Sequence, residues 1–231
     1  MESMPSGVSR EGTGGGGGAP PHSREMIRLA ADAASLQVAA EVIAAGGIVA
    51  TPTDTLYGLA ADPFRADAVA RVFAVKGRSS EHALPLIAAD VKQIESHLGS
   101  LPPMGRCLAE KFWPGPLTLL VGAPAALTRD VTGGTGRVGV RVPAHAVARG
   151  LCRACERPLT ATSANVSGEP PASDPDEVAR MLGARIDVLL DAGRAPGGRP
   201  STIVDVTGSA PRLVRAGAIL WDHVQACVNR A

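Results

Sequence analysis

The stretch IVATPTDTLYGLAADPFRADAVARVFAVKGRSSEHALPLI, residues 48–87, decides how this chain is read. A short apolar run (Ile48, Val49, Ala50) stops at Pro52, and Thr53, Asp54 and Thr55 follow at once, so polar side chains are offered where a strand ends. In α/β proteins ligands sit at such strand ends. Residues 66–76 then carry apolar side chains at helical spacing (Ala66, Val69, Ala70, Val72, Phe73), and Gly77 stands where a helix stop belongs. Lys76-Gly77-Arg78-Ser79-Ser80 packs two cations and two hydroxyls around that glycine. Two uses compete for Lys76 and Arg78: they complement the helix dipole and its last carbonyls, or they clamp a phosphate.

Outward from this stretch the same alternation of elements continues. On its N-terminal side, Leu36, Val38, Ala39, Val42 and Ile43 recur at helical spacing and Gly46-Gly47 ends them. Residues 1–24 are Gly, Pro and Ser with a run of five glycines, a composition expected to be disordered. On the C-terminal side, residues 84–89 read as a buried strand and helices are expected near 91–98 and 104–111. Trp113-Pro114-Gly115-Pro116 reads as a rigid turn with Trp113 as a packing anchor, launching a strand at 117–121.

In Val138-Gly139-Val140-Arg141-Val142-Pro143 a cation interrupts an apolar run. A buried cation is costly unless it is paired or faces a ligand, which makes Arg141 a candidate site residue. After a helix over 144–154 and a strand over 158–162, Ser163-Ala164-Asn165-Val166-Ser167-Gly168 forms a second polar loop directly after a strand. Its hydroxyl, its amide and the close backbone approach at Gly168 suit a nucleotide phosphate or ribose, although such a segment also occurs as a plain turn. A helix over 174–182, strands over 186–190, 203–206 and 213–217, and an amphipathic helix over 221–228 complete the expectation, with Ser201 opening one strand and Arg215 inside another.

At 231 residues the chain can bury a good core as one domain, here expected over 25–231. Twenty-three basic and 22 acidic side chains leave a net charge of +1, so no bulk field points to nucleic acid or membrane. Aromatic residues make up 3 %, which leaves few stacking platforms for single strands. No apolar run approaches the roughly 18 residues of a membrane span and no signal-peptide core opens the chain, so a cytosolic protein is expected. Cys152-Arg-Ala-Cys155 has redox or half-zinc-site spacing, but no second such pair or nearby His pair completes it; two thiols on a helix is the plainer reading. Neither GxxxxGK[ST] nor GxGxxG occurs, so nucleotide, if bound, is bound by another design.

PTDTLYGLAAD (52–62), KGRSS (76–80) with LPL (84–86), WPGPLTLL (113–120), VGVRVP (138–143), TSANVSG (162–168), STIVD (201–205) and LVRAG (213–217) stand in the order found in YrdC-like threonylcarbamoyl-AMP synthases, which the chain resembles from about residue 25 to 230. The resemblance implies a single-domain α/β fold, an open twisted mixed sheet with flanking helices, whose strand-end loops line one concave basic cavity. It implies a nucleotidyltransferase that converts L-threonine, bicarbonate and ATP to threonylcarbamoyl-AMP and pyrophosphate, with Mg2+ arriving on ATP and the product passing to tRNA threonylcarbamoyl transfer machinery. By the same resemblance Thr55, Arg141 and Ser201 meet threonine. Lys76, Arg78 and Arg215 meet the triphosphate, and Ser163 and Asn165 hold phosphate or its metal. Leu84 and Ala89 stand where relatives often carry a polar residue and a histidine. The resemblance is to the short members, so no extra C-terminal domain of the kind the long ones carry is expected. A non-catalytic protein binding double-stranded RNA or tRNA through a basic face is the other reading, although Thr55, Ser163, Asn165 and Ser201 are superfluous for it. Hydrogenase-maturation carbamoyltransferases also contain a YrdC-like domain, along with acylphosphatase-like and zinc-finger segments absent from this sequence.

Overall fold

The computed structural model describes residues 25–77 and 82–229. The N-terminal segment 1–24, expected to be disordered, and Arg78 both lie outside the described residues.

The chain opens with β1 (Ile27–Ala30), which apolar patterning alone does not reveal, and α1 (Ala33–Ala44), capped by the Asp32 carboxylate accepting from Ser35 N at 2.8 Å. Then come β2 (Val49–Pro52), β3 (Tyr57–Ala60), α2 (Ala66–Lys76) and the short β4 (Leu86–Ile87). The residues after Pro52, read from sequence as one polar loop, contain only a tight turn before β3 returns antiparallel to β2. Thr53 makes that turn: its Oγ1 donates to Leu56 O at 2.7 Å and accepts from Leu56 N at 3.3 Å. Gly77 ends α2 in the left-handed region at φ 61°, as its place in the sequence predicts.

Helices α3 (Val91–Leu98) and α4 (Pro103–Phe112) lead to β5 (Leu117–Gly122), β6 (Arg137–Arg141) and α5 (Ala146–Ala154). Trp113 anchors the turn as expected, packing on the core and donating Nε1–H to Leu117 O at 2.6 Å. The expected strand at 158–162 is two short strands, β7 (Leu159–Thr160) and β8 (Thr162–Ser163). Helix α6 (Pro175–Leu182), strands β9 (Val188–Asp191), β10 (Thr202–Asp205) and β11 (Arg212–Arg215), and helix α7 (Trp221–Val228) complete the order.

The open, mixed α/β character holds, but the one sheet expected from sequence resolves into two. Five strands pair in the order β1-β9-β2-β3-β8 and six in the order β11-β10-β5-β6-β4-β7. The break between β7 and β8 is the shortest of three passages between the two sheets: Leu159–Thr160 pairs with β4 in the second sheet, and two residues on Thr162–Ser163 pairs with β3 in the first. The chain thus crosses from sheet to sheet at Ala161, whose N–H donates to Pro85 O at 2.8 Å. Helices α1 and α5 cover this junction, with Ile43, Leu151 and Cys152 packed on Val188 and Leu190 of one sheet and Ile87 and Leu159 of the other. Leu189 faces the opposite, larger core, which is why the run from Val188 to Leu190 is apolar without alternation.

At the far end of β10, buried Asp205 accepts from Arg137 Nη1 at 2.9 Å, Arg212 Nη2 at 2.8 Å and Thr207 N at 2.9 Å. Burial pushes its pKa up, but the Thr207 bonds and the two guanidinium groups outweigh that and hold it at about 2. Its folded pKa is therefore below its unfolded value, so the stabilisation is present above about pH 4 and is lost as pH falls toward 2. Both arginines are substantially exposed, which limits the effect. Asp205→Asn should lower stability by about 1–2 kcal/mol at pH 7 and, in urea titrations across acid pH, should flatten the fall of stability below pH 4. Among the described residues no helix is long and apolar enough to cross a membrane.

Candidate active site

The sheet junction leaves a cavity of about 410 Å³ between the β2–β3 turn, β4, β5, β6, β8 and the start of β10. Thr55, Arg141, Ser163, Ser201 and Arg215, drawn from five separate stretches of sequence, all line it. Its floor needs small residues: a Cβ at Gly139 would come within 3.1 Å of Thr118 Cγ2, and one at Gly58 within 3.3 Å of Thr162 O.

Lys76 stands behind Ser163. The Lys76 side chain is buried, and its ammonium donates to Ser163 O at 2.8 Å, Ser163 Oγ at 3.2 Å and Asn165 Oδ1 at 2.6 Å. Ser163 Oγ also donates to Asn165 Oδ1 at 2.6 Å, and Asn165 Nδ2 donates to Glu169 O. The backbone joins the same pieces, with Ser167 N donating to Lys76 O at 2.9 Å. The last residue of α2 is therefore bonded across to the Ser163–Asn165 loop, which goes beyond complementing its own helix. Both sequence loops that offered phosphate ligands meet through this ammonium.

On the other wall, Arg141 ends β6 and is 8 % exposed. Its Nη1 lies 3.3 Å from Asp54 Oδ1, yet neither that nitrogen nor either Asp54 oxygen has a well-formed hydrogen bond among the described residues. Burial pulls the Arg141 pKa down, and Arg215 adds to this, while Asp54 opposes it. A desolvated guanidinium with one loosely held carboxylate gains from a second anion, and an α-carboxylate entering the cavity supplies one.

Ser201 connects the two halves. Its Oγ lies 2.9 Å from Thr118 Oγ1 and accepts from Arg215 Nη2 at 3.0 Å, while its carbonyl accepts from the same Nη2 at 2.8 Å. Thr55 Oγ1 lies 3.2 Å from Thr53 Oγ1 at the mouth of the turn. Three contributors were not singled out from sequence: Thr118, a buried hydroxyl inside β5; Asp54, the counterion of Arg141; and Tyr57, whose hydroxyl donates to Gly193 O at 2.7 Å and so fixes the wall between turn and loop. A hydroxyl within Leu117-Thr118-Leu119-Leu120 was the available signal for the first of these. Leu84 and Ala89 are buried in the apolar cores, Leu84 at 0 % exposure, so neither substitutes for a polar contact in the cavity.

Two mixed sheets enclosing a polar, arginine-lined cavity at their junction define an α/β protein whose candidate site is assembled from strand ends. Residues 41–217 match the Sua5/YciO/YrdC family model, which is described as telomere recombination, and the chain belongs to that family. It is 37 % identical over 194 residues to the threonylcarbamoyl-AMP synthase of Pyrococcus abyssi, covering 84 % of this chain and 57 % of that protein. It is 44 % identical over 168 residues to the synthase of Halorhodospira halophila, covering 72 % of this chain and 87 % of the relative. The crystal structure of Pyrococcus abyssi Sua5 complexed with L-threonine superimposes with a TM-score of 0.81 at 35 % identity, over 88 % of this chain and 60 % of that one. The chain thus spans little more than half the length of its Pyrococcus and Bacillus relatives, 57 % and 56 %.

Proposed function

We propose that this chain is an L-threonylcarbamoyladenylate synthase, joining L-threonine, bicarbonate and ATP into threonylcarbamoyl-AMP with release of pyrophosphate, and that residues 25–231 carry the catalytic domain. The observation that carries this reading is the convergence of Thr55, Arg141, Ser163, Ser201 and Arg215 on one cavity, with Lys76 and Asn165 bonded to Ser163. The similarity to synthases, including one whose structure holds L-threonine, supports it.

In this mechanism the threonine carboxylate pairs with Arg141, while Thr55 and Ser201 hydroxyls hold the amine and side-chain hydroxyl. The neutral amine attacks the bicarbonate carbon, forming the N–C bond as a C–O bond breaks and water leaves with an amine proton. An oxygen of the resulting carbamate then attacks the α-phosphorus of ATP as the bond to pyrophosphate breaks. Negative charge spreads over the phosphoryl oxygens in that step, so catalysis is positioning plus fixed positive charge. Lys76 and Arg215 supply the charge within the described residues, and Arg78 is assigned beside them. Ser163 Oγ and Asn165 Oδ1 already accept from the Lys76 ammonium, at 3.2 and 2.6 Å, so this pair as placed does not fit a second cation. Mg2+ would arrive on ATP and neutralise charge on the triphosphate, with Ser163 and Asn165 holding Lys76 toward the phosphates. The product would then be consumed by transfer to tRNA.

Incubation with radiolabelled bicarbonate, threonine and ATP should place the label in an adenylate that co-migrates with threonylcarbamoyl-AMP. Label that never enters a nucleotide, from protein shown to be folded, would contradict the proposal.

A further inference from the structure

Cysteine spacing draws attention to Cys152 and Cys155, but the structure withdraws both from thiol chemistry. Cys152, on α5, is fully buried against α1 and the sheets, with its Sγ 3.5 Å from Ile87 O, and burial pushes its thiol well above the ordinary range. Burial likewise pushes Cys155 up to about 12. The thiolate is the reactive species, so neither is a nucleophile at neutral pH.

The other two cysteines lie 120 residues apart in sequence and meet in space. Helices α4 and α7 pack on one another, and Cys107 Sγ lies 3.0 Å from Cys227 Sγ. Each sulfur also rests against the other residue's backbone carbonyl, at 3.5 and 3.6 Å, so the two positions face each other squarely. A covalent bond of about 2.05 Å needs an approach of only about 1 Å more. Both residues line an open cleft of about 810 Å³ shared with Glu110, Lys111 and His223, which admits a small reagent.

We infer that Cys107 and Cys227 are a redox-modification site: a low-molecular-weight disulfide oxidises them to an intramolecular disulfide that staples α7 to α4. One cysteine thiolate attacks a sulfur of the reagent, breaking the reagent's S–S bond, forming a mixed disulfide and releasing one thiolate. The second cysteine thiolate attacks the protein sulfur of the mixed disulfide, forming the Cys107–Cys227 bond and releasing the other. Two protein thiols are oxidised, one reagent disulfide is reduced to two thiols, and the two cysteine protons pass to the departing thiolates.

The staple acts on a segment attached to the cavity wall. Between β11, which carries Arg215, and α7, Ile219 N donates to Thr202 Oγ1 at 2.9 Å and Thr202 Oγ1 donates to Ile219 O at 2.7 Å. Holding α7 on α4 therefore restrains the chain immediately after Arg215. The long loop closed by the bond removes conformational freedom from the unfolded chain.

The full chain should be equilibrated with oxidised glutathione or with dithiothreitol, then examined by intact mass, non-reducing peptide mapping and thermal melting. The expected result under oxidation is a loss of roughly 2 Da, a Cys107–Cys227 cross-linked peptide, and a melting temperature higher by at least about 5 °C. Cys107→Ser and Cys227→Ser should each abolish the loss of mass and the shift, while melting like the parent in dithiothreitol. Should either variant fail to fold, the peptide map of the parent decides alone. Glutathione adducts without a cross-link, a Cys152–Cys155 bond, cross-linked dimers, or unmodified thiols would each overturn the inference.

Discussion

Lys76→Met should reduce threonylcarbamoyl-AMP synthesis at least 100-fold, the loss typical when one fixed charge is removed from a developing oxyanion. Methionine keeps much of the buried stem and removes only the ammonium that joins Ser163 and Asn165. From sequence, Lys76, read as a phosphate clamp, is a residue whose removal leaves the melt nearly unchanged. Its burial changes that expectation, because Asn165 Oδ1 and Ser163 O each lose a charged donor inside the protein. The variant should therefore also melt several degrees lower. Turnover measured well below that melt, with folding verified by circular dichroism, separates the two effects. Activity within tenfold of the parent would remove Lys76 from the catalytic role.

Arg141→Ala should weaken threonine binding by about 10- to 100-fold, the range for losing a charge-assisted bidentate pair. ATP affinity should change little, since the triphosphate is assigned to Lys76, Arg78 and Arg215. The substitution also strands the buried Asp54 carboxylate, whose ion pair is with Arg141, so stability falls too. Arg141→Ala combined with Asp54→Asn should recover part of the stability without recovering threonine affinity. Titration calorimetry with threonine reads this directly, and unchanged affinity in the single variant would reassign the carboxylate pocket.

Local patterns made much of the fold legible. Helical periodicity closed by Gly77 located α2 to the residue, and Gly46-Gly47 marked the end of α1. Strand β3 escaped because Tyr57-Gly58-Leu59-Ala60 was absorbed into the polar loop read after Pro52, and β1 because two residues separate it from the low-complexity segment and two from α1. The chain passes between the two sheets three times, after β3, at Ala161 and after β9, and the passage at Ala161, inside what reads as one strand, is a long-range pairing choice that no local pattern encodes.

The site divided along the same line. Arg141 could be picked out by itself, because a cation in an apolar strand needs a reason. Thr55 could be read only as one of several polar residues at a strand end, and its assignment, like that of Ser201, came from the order of seven motifs. Thr118 and Asp54 were overlooked because their roles are set by what lies across the cavity, Ser201 Oγ at 2.9 Å and Arg141 Nη1 at 3.3 Å, and such distances exist only after the sheets are assembled.

The central claim is that one cavity couples threonine and bicarbonate to the α-phosphate of ATP. Pyrophosphate release from ATP, measured with threonine and bicarbonate each omitted in turn, tests it most directly. Release that requires both co-substrates, and falls to background when either is absent, is the predicted result; release indifferent to threonine or to bicarbonate would contradict it.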